Sequence, residues 1–235
     1  MLIYDKKHFF LGLFMIAIFI ALQVLMFTPI FNGKNALKAS DDLFNSISKG
    51  STNYFGAMRT EIEQFDKTNF SAALKFDKEK DKAKSYALLD NAGMAVVLTQ
   101  SEVALTGNLH TVLQKALDDA ENLFYNKDKE LQDAYGLSGK EAAYVWWKTL
   151  KALAKDFERQ KLFKEAKQVK TVIKKGMEVG YNYFGIEPVE AKDNIFIISA
   201  SLIFYVAYTL WWGVAILFFF EGIGLQMTAG SKKEV

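Results

Sequence analysis

Two unbroken apolar runs stand near the ends of the chain, and a charge-rich stretch with a different rhythm lies between them. Phe9 to Phe31 (FFLGLFMIAIFIALQVLMFTPIF) carries no charge, and Gln23 is its one strongly polar side chain. Ile195 to Phe220 (IFIISASLIFYVAYTLWWGVAILFFF) is also uncharged. At 1.5 Å per residue, either run as a helix crosses a hydrocarbon core of ~30 Å. The rival reading of the first run is a cleaved signal peptide, with Ala36 and Ala39 as small residues near a cleavage site. The run is too long for an h-region of ~7–15 residues, so a transmembrane helix is expected.

Between the runs the apolar positions recur with a period near 3.6, and no strand-like alternation is read there. Three breaks are legible: the charge-dense stretch Lys75 to Lys84, then Thr106-Gly107-Asn108, then Tyr135-Gly136-Leu137-Ser138-Gly139. Asn108 is placed to cap a following helix. Ser138 with Glu141 three residues on has the form of a capping box. The pattern therefore predicts four helices at roughly 35–74, 79–106, 108–134 and 139–183. In the last of these, Ala143, Trp146, Leu150, Leu153 and Phe157 form one stripe. After a five-residue step, Leu162, Ala166, Val169, Ile173 and Met177 continue it, which predicts a buried face with a local stutter. In the third, Leu109, Val112, Leu113, Leu117, Ala120 and Phe124 repeat the pattern.

The expected fold class is all-α: two transmembrane helices flanking an extracytoplasmic antiparallel four-helix bundle. The expected divisions are an N-tail over 1–8, a first membrane helix over 9–31, the bundle over 32–194, a second membrane helix over 195–220 and a C-tail over 221–235. Lys6 and Lys7 in one tail and Lys232 and Lys233 in the other put both tails in the cytoplasm by the positive-inside rule, and the middle outside. In a Gram-negative cell that is the inner membrane with a periplasmic domain.

Composition sharpens this picture in three places. The net charge of +2 over 235 residues excludes the global basic field of a nucleic-acid binder. The absence of cysteine removes disulfides, thiolate metal sites and covalent haem attachment. The only prolines, Pro29 and Pro188, fall at the junctions between the apolar runs and the middle, as long helices require.

The plan of two spans around four long helices resembles the periplasmic four-helix-bundle ligand-binding domains of bacterial chemoreceptors. The resemblance is one of topology and helix length. It implies a ligand-binding sensor, but after the second span only Glu221 to Val235 follow, which leaves no room for a signalling hairpin.

Catalytic and metal chemistry find little footing. His8 and His110 are the only histidines, and His110 has no histidine or carboxylate at i±3 or i±4 to form a helical metal pair. Glu102 is the carboxylate nearest an apolar stretch, beside Val103 and Leu105, and reads as part of a solvated helix face. No nucleophile elbow, phosphate-binding glycine loop or HExxH is present. No metal site, cofactor or catalytic residue is therefore expected.

Two sets of residues are candidate partner sites. Lys161, Lys164, Lys167, Lys170 and Lys174 recur along the last helix. Residues 140–175 hold eleven Lys or Arg against four Asp or Glu, a net +7. Such a stripe either pairs with acidic neighbours such as Asp118, Asp119 and Glu121 or docks an acidic partner or anionic head groups. In the second span, Ser201, Tyr205, Tyr208 and Trp212 share one seam, and their hydroxyl and indole groups seek partners in lipid. Gln23 or another subunit could supply them. Glu221 is expected at the membrane interface. Asn53-Tyr54-Phe55-Gly56 recurs as Asn182-Tyr183-Phe184-Gly185, which would give an aromatic layer if the two copies were adjacent.

The function expected from these features is that of a non-catalytic accessory or scaffold subunit. It binds other membrane subunits, or a second copy of itself, through its bundle and second span, with lipid around the helices. The alternative is a ligand-binding sensor that signals through a partner.

Overall fold

The structure is a computed structural model that describes residues 3–225, so Lys232 and Lys233 lie outside the described residues. The chain forms two compact units, residues 1–47 with 189–235, and residues 48–188.

The first unit is built on two helices long and apolar enough to cross a membrane. Helix α1 (Lys6–Phe27) is 22 residues and about 33 Å long. Asp5 caps it, accepting from the Lys7 and His8 amides at 2.8 and 3.2 Å. The apolar run continues to Phe31, but the helix stops at Phe27, because Thr28 is extended and Pro29 follows it. A tight turn then brings Phe31 against Lys34, with Asn32 and Gly33 at φ 50° and 78°, the conformation an Asn-Gly hairpin turn demands. Helix α2 (Ala36–Ser51) begins here and enters the second unit at Ser48. The last helix among the described residues, Ile195–Gly222, packs antiparallel on α1.

The second unit departs from the expected bundle. It is mostly helical, but it contains a three-stranded antiparallel sheet in the order β1-β3-β2. After α3 (Phe55–Glu63) come β1 (Asn69–Leu74), α4 (Glu79–Asn91), β2 (Ala95–Leu98) and β3 (Val103–Asn108). The expected helices over 35–74 and 79–106 are thus each a helical portion ending in strand. Alternation does exist in NFSAAL and VALTGN. Ala72 and Leu74 on β1 face the core beside Leu105 and Val103 on β3, their register partners. Strands of four to six residues leave too few apolar repeats to separate a period of 2 from one of 3.6.

Each of the three expected breaks falls at or beside an element boundary, though residues 79–84 are already helix and 106–108 are still strand. Asn108 caps α5 (Leu109–Phe124), accepting from the Thr111 amide at 3.2 Å. A short α6 (Asp128–Tyr135) ends on Gly136 at φ 65°, the left-handed stop that glycine supplies. Ser138 caps α7 (Gly139–Arg159), accepting from the Glu141 amide at 3.4 Å. The predicted stutter after Phe157 is a full break. Lys161 turns at φ 64° and α8 (Phe163–Val172) starts anew. A π turn (Ile173–Met177) follows, then α9 (Glu178–Tyr183). The helix of the second span is α10.

The core gathers the predicted stripes. Trp146, Leu150, Leu153 and Phe157 of α7 are buried against Leu113, Leu117 and Ala120 of α5 and Val169 of α8, with Leu74 and Leu105 of the sheet in the same cluster. Of the adjacent pair, Trp146 faces inward and Trp147 lies at the edge. Three buried polar groups are tied down inside this unit. Asp119 receives the Trp146 indole N–H at 2.7 Å, the Tyr135 hydroxyl, and Lys115 at 3.1 Å. Burial beside Asp119 pushes the Tyr135 phenol well above its ordinary range. Asp156 accepts from the Ala73 amide of β1 at 3.1 Å. Thr149 donates to Ser85 at 2.9 Å, joining α7 to α4.

Candidate functional site

Helix α7 buries one side and presents the other to solvent, and the exposed or half-buried positions are mostly lysine and aromatic. Lys140, Tyr144, Trp147, Lys148, Lys151, Lys155 and Glu158 follow one another at three- or four-residue steps, or in adjacent pairs. Tyr144 and Trp147 are stacked, their centroids 5.9 Å apart. Lys151 lies over the Trp147 ring at 4.1 Å, and Lys140 over Tyr181 at 5.4 Å, both within cation–π range. The α8 break and the π turn lay a second wall along this face. Trp147, Lys151, Lys155, Lys170, Lys174 and Ile173 line a groove of ≈ 500 Å³. Glu178, immediately after the π turn, fixes one end by accepting the Trp147 indole N–H at 3.1 Å. Single π turns inside helices recur at functional sites.

Two further hollows lie along α7, one of them sharing Trp147 and Glu178 with the groove. Tyr144, Trp147, Met177 and Tyr181 line one of ≈ 340 Å³ with an apolar floor. Tyr144 and Lys148 also border one of ≈ 310 Å³ among Lys78, Lys80, Lys84, Asp81 and Glu141. Here two of the four lysines are paired with the two acids. Lys84 pairs with Glu141 and holds its carboxyl below the usual range. The Tyr144 phenol beside Lys148, with Asp81 at 3.4 Å, holds the Lys148 ammonium above its usual range.

The predicted basic stripe divides over this surface. Lys170 and Lys174 line the groove, and Lys170 pairs with Glu158. Lys161 forms the turn between α7 and α8, and Lys164 lies over Phe65 at 5.3 Å. Lys167 stands exposed on α8. The acidic neighbours expected to neutralise the stripe are engaged elsewhere. Arg59 holds Asp118 at 2.8 Å and Glu121 at 2.5 Å, and Asp119 is buried with Tyr135, Trp146 and Lys115. Among the described residues, Lys161, Lys164, Lys167 and Lys174 form no ion pair.

The predicted membrane seam also divides. Tyr208 and Trp212 stack on Phe19 of α1, at 5.0 and 4.4 Å between centroids. The Ser201 hydroxyl returns to the Ile197 carbonyl of its own helix at 2.8 Å. Tyr205 is 61% exposed. The polar contact between the two helices comes from Trp211, whose indole N–H donates to the Met15 carbonyl at 3.1 Å. Reading the seam at i, i+4, i+7 and i+11 picked out Trp212 and passed over Trp211. The buried Ala215 four residues on marks the face that Trp211 shares.

The remaining candidates are structural. His8 Nδ1 lies 2.7 Å from Asp5 at the α1 cap, and His110 is 4.0 Å from Asp66. Glu102 sits in the β2–β3 turn, 4.0 Å from Lys75. The two NYFG copies both pack on Phe124 at the end of α5. Phe55 packs edge-on to Phe124 and Tyr183 lies 6.0 Å from the same ring, while Asn53 donates to the Tyr125 hydroxyl at 2.7 Å. Lys49 roofs this layer, donating to the Tyr183 and Ile186 carbonyls at 3.1 and 2.5 Å, and burial pulls its ammonium down from the ordinary range. No cluster of three or more metal-ligating side chains occurs among the described residues. The sequence matches no family model, no curated protein and no solved structure.

Proposed function

We propose that this chain is a non-catalytic accessory subunit of a membrane assembly. Helices α1 and α10 span the inner membrane as a hairpin, and residues 48–188 dock an acidic segment of a partner protein outside the cytoplasm. One observation carries the docking reading. The exposed face of α7 sets stacked aromatics beside Lys151 and Lys155, which with Lys174 across the groove form no ion pair among the described residues. Aromatic rings give such a surface rigid contact area, and the lysines select carboxylates and speed their approach. The apolar hollow at Tyr144, Met177 and Tyr181 suits one anchoring side chain of the same segment. The sensor reading drew on likeness to a four-helix bundle, and the sheet in this domain removes that basis.

The test is purification of the full-length chain in mild detergent. Wild type brings down a stoichiometric partner that dissociates as ionic strength rises. Lys151→Glu, Lys155→Glu and Lys174→Glu together abolish recovery of that partner while leaving helicity unchanged, because all three side chains are solvent-exposed. Recovery at wild-type yield overturns the reading.

Orientation has its own test. A reporter fused before Tyr4 behaves as cytoplasmic, and one inserted at Gly136 as external. The motive is Lys6 and Lys7 at the N-terminal end of α1. A cytoplasmic signal from Gly136 reverses the topology.

A further inference from the structure

The two edges of the sheet are treated in opposite ways. The outer edge of β1 is sealed by the C-terminal turn of α7. Asp156 accepts from the Ala73 amide at 3.1 Å, Arg159 donates to the Ala73 carbonyl at 3.0 Å, and Gln160 donates to the Ser71 carbonyl at 2.9 Å. Three main-chain groups that would otherwise template a further strand are thereby taken.

That sealing also fixes the phase of the ladder. With Ser71 and Ala73 turned outward, Phe70, Ala72 and Leu74 bond to β3, so Ala104 and Thr106 of β3 serve β2. Their register partners are Val97 and Ala95. The Thr99 amide donating to the Glu102 carbonyl at 3.0 Å has the same phase. Val96 and Leu98 therefore point their N–H and C=O groups away from β3. No hydrogen bond to them from elsewhere occurs among the described residues. The side chains on this edge are apolar and open: Val97 is 62% exposed and Leu98 44%. From Asn91 to Ser101 no charged residue occurs, so the edge carries none of the lysines that usually blunt such strands.

We propose that the β2 edge is a self-association surface, on which a second copy of this chain adds its own β2 antiparallel about a two-fold axis. The register is determined by the phase of the ladder. Val96 faces Leu98 of the other copy and Leu98 faces its Val96, each pair exchanging both main-chain hydrogen bonds, while the two Val97 side chains meet on the axis. In a two-fold contact every charge on the edge sits near its own image, so the charge-free run from Asn91 to Ser101 is the electrostatic complement that self-pairing needs. The same register sets Glu102 opposite Ala92 rather than opposite another carboxylate. The product is a six-stranded sheet whose two outer edges are the sealed β1 strands, so association stops at two copies.

Cysteine scanning tests this directly, because the chain contains no cysteine. Val97 lies in a non-hydrogen-bonded pair on the axis, where side chains come closest. Full-length Val97→Cys in its native membrane is expected to form mostly a disulfide-linked dimer under mild oxidation. Ser71→Cys, also exposed on the same sheet face but at the sealed edge, stays monomeric. Val97→Lys, also a solvent-facing substitution, sets like charges together and shifts the detergent-solubilised protein from dimer to monomer. Absence of the Val97→Cys dimer, equal cross-linking at Ser71→Cys, or a cross-link from Val97→Cys to a different protein overturns the proposal.

Discussion

Trp146→Ala is expected to destabilise residues 48–188 by roughly 3–5 kcal/mol, the range for emptying a large aromatic from a packed core. The indole is fully buried among α5, α7 and α8. Its N–H is also one of three donors to Asp119, which is itself buried. Truncation therefore removes both apolar contact and a hydrogen bond to a buried carboxyl group, leaving one of its acceptors without that donor. Domains of this size are stable by about 5–15 kcal/mol, so the variant sits near the threshold of folding. Trp147→Ala provides the contrast. That ring lies at the edge, over the groove, and its loss should change stability little while weakening partner recovery. Thermal unfolding of the full-length chain in detergent, followed by circular dichroism, distinguishes the two. An unchanged melting temperature for Trp146→Ala would mean that the stripe on α7 is not the core.

Much of this could be read from residues alone, and the reasons the rest could not are specific. The two long apolar helices are legible because each is an uncharged run long enough to cross a hydrocarbon core. Gly136, Ser138 and Asn108 are legible because their backbone chemistry acts locally. The strands escaped because their evidence is not local. Val103 and Leu105 are buried only because Ala72 and Leu74, some thirty residues earlier, come to lie beside them. The break at Lys161 was visible only as a five-residue step in the stripe, and an intact helix can carry such a step too. The lysine stripe was read as one feature along one helix. The structure divides it between a groove wall, a turn and an open face, because α8 folds back on α7 after Lys161. Which acidic residues neutralise it depended on Arg59 reaching Asp118 and Glu121 across sixty positions of sequence.

The hairpin of α1 and α10 should fail when either of two glycines is enlarged. A Cβ on Gly12 would lie 2.4 Å from the Phe219 amide nitrogen, and one on Gly222 would lie 2.4 Å from Phe9 Cα. Both obstacles are backbone, so neither helix can accommodate the added atom without moving away. In the lipid setting proposed for these helices there is no hydrophobic drive to restore the contact. Close packing and a few hydrogen bonds, averaging ~0.6 kcal/mol each, hold such helices together. Gly12→Leu or Gly222→Leu therefore keeps each span insertion-competent and separates the pair, releasing the Phe19 stack with Tyr208 and Trp212 and the Trp211 bond to Met15. A cross-link reports the separation. Tyr4 Cβ lies 3.3 Å from the position of a Cβ at Gly224, close to the ~3.5–4.5 Å of natural disulfides. In an otherwise cysteine-free chain, Tyr4→Cys with Gly224→Cys should oxidise within one molecule. Adding Gly12→Leu or Gly222→Leu should abolish that product. Gly213→Leu is the control. No atom lies within 4 Å of a Cβ built at Gly213, so a leucine there meets open space and leaves the cross-link intact. If all three leucine variants oxidise alike, the glycines do not set the approach of the two helices, and Trp211 and the Phe19 stack become the contacts to remove next.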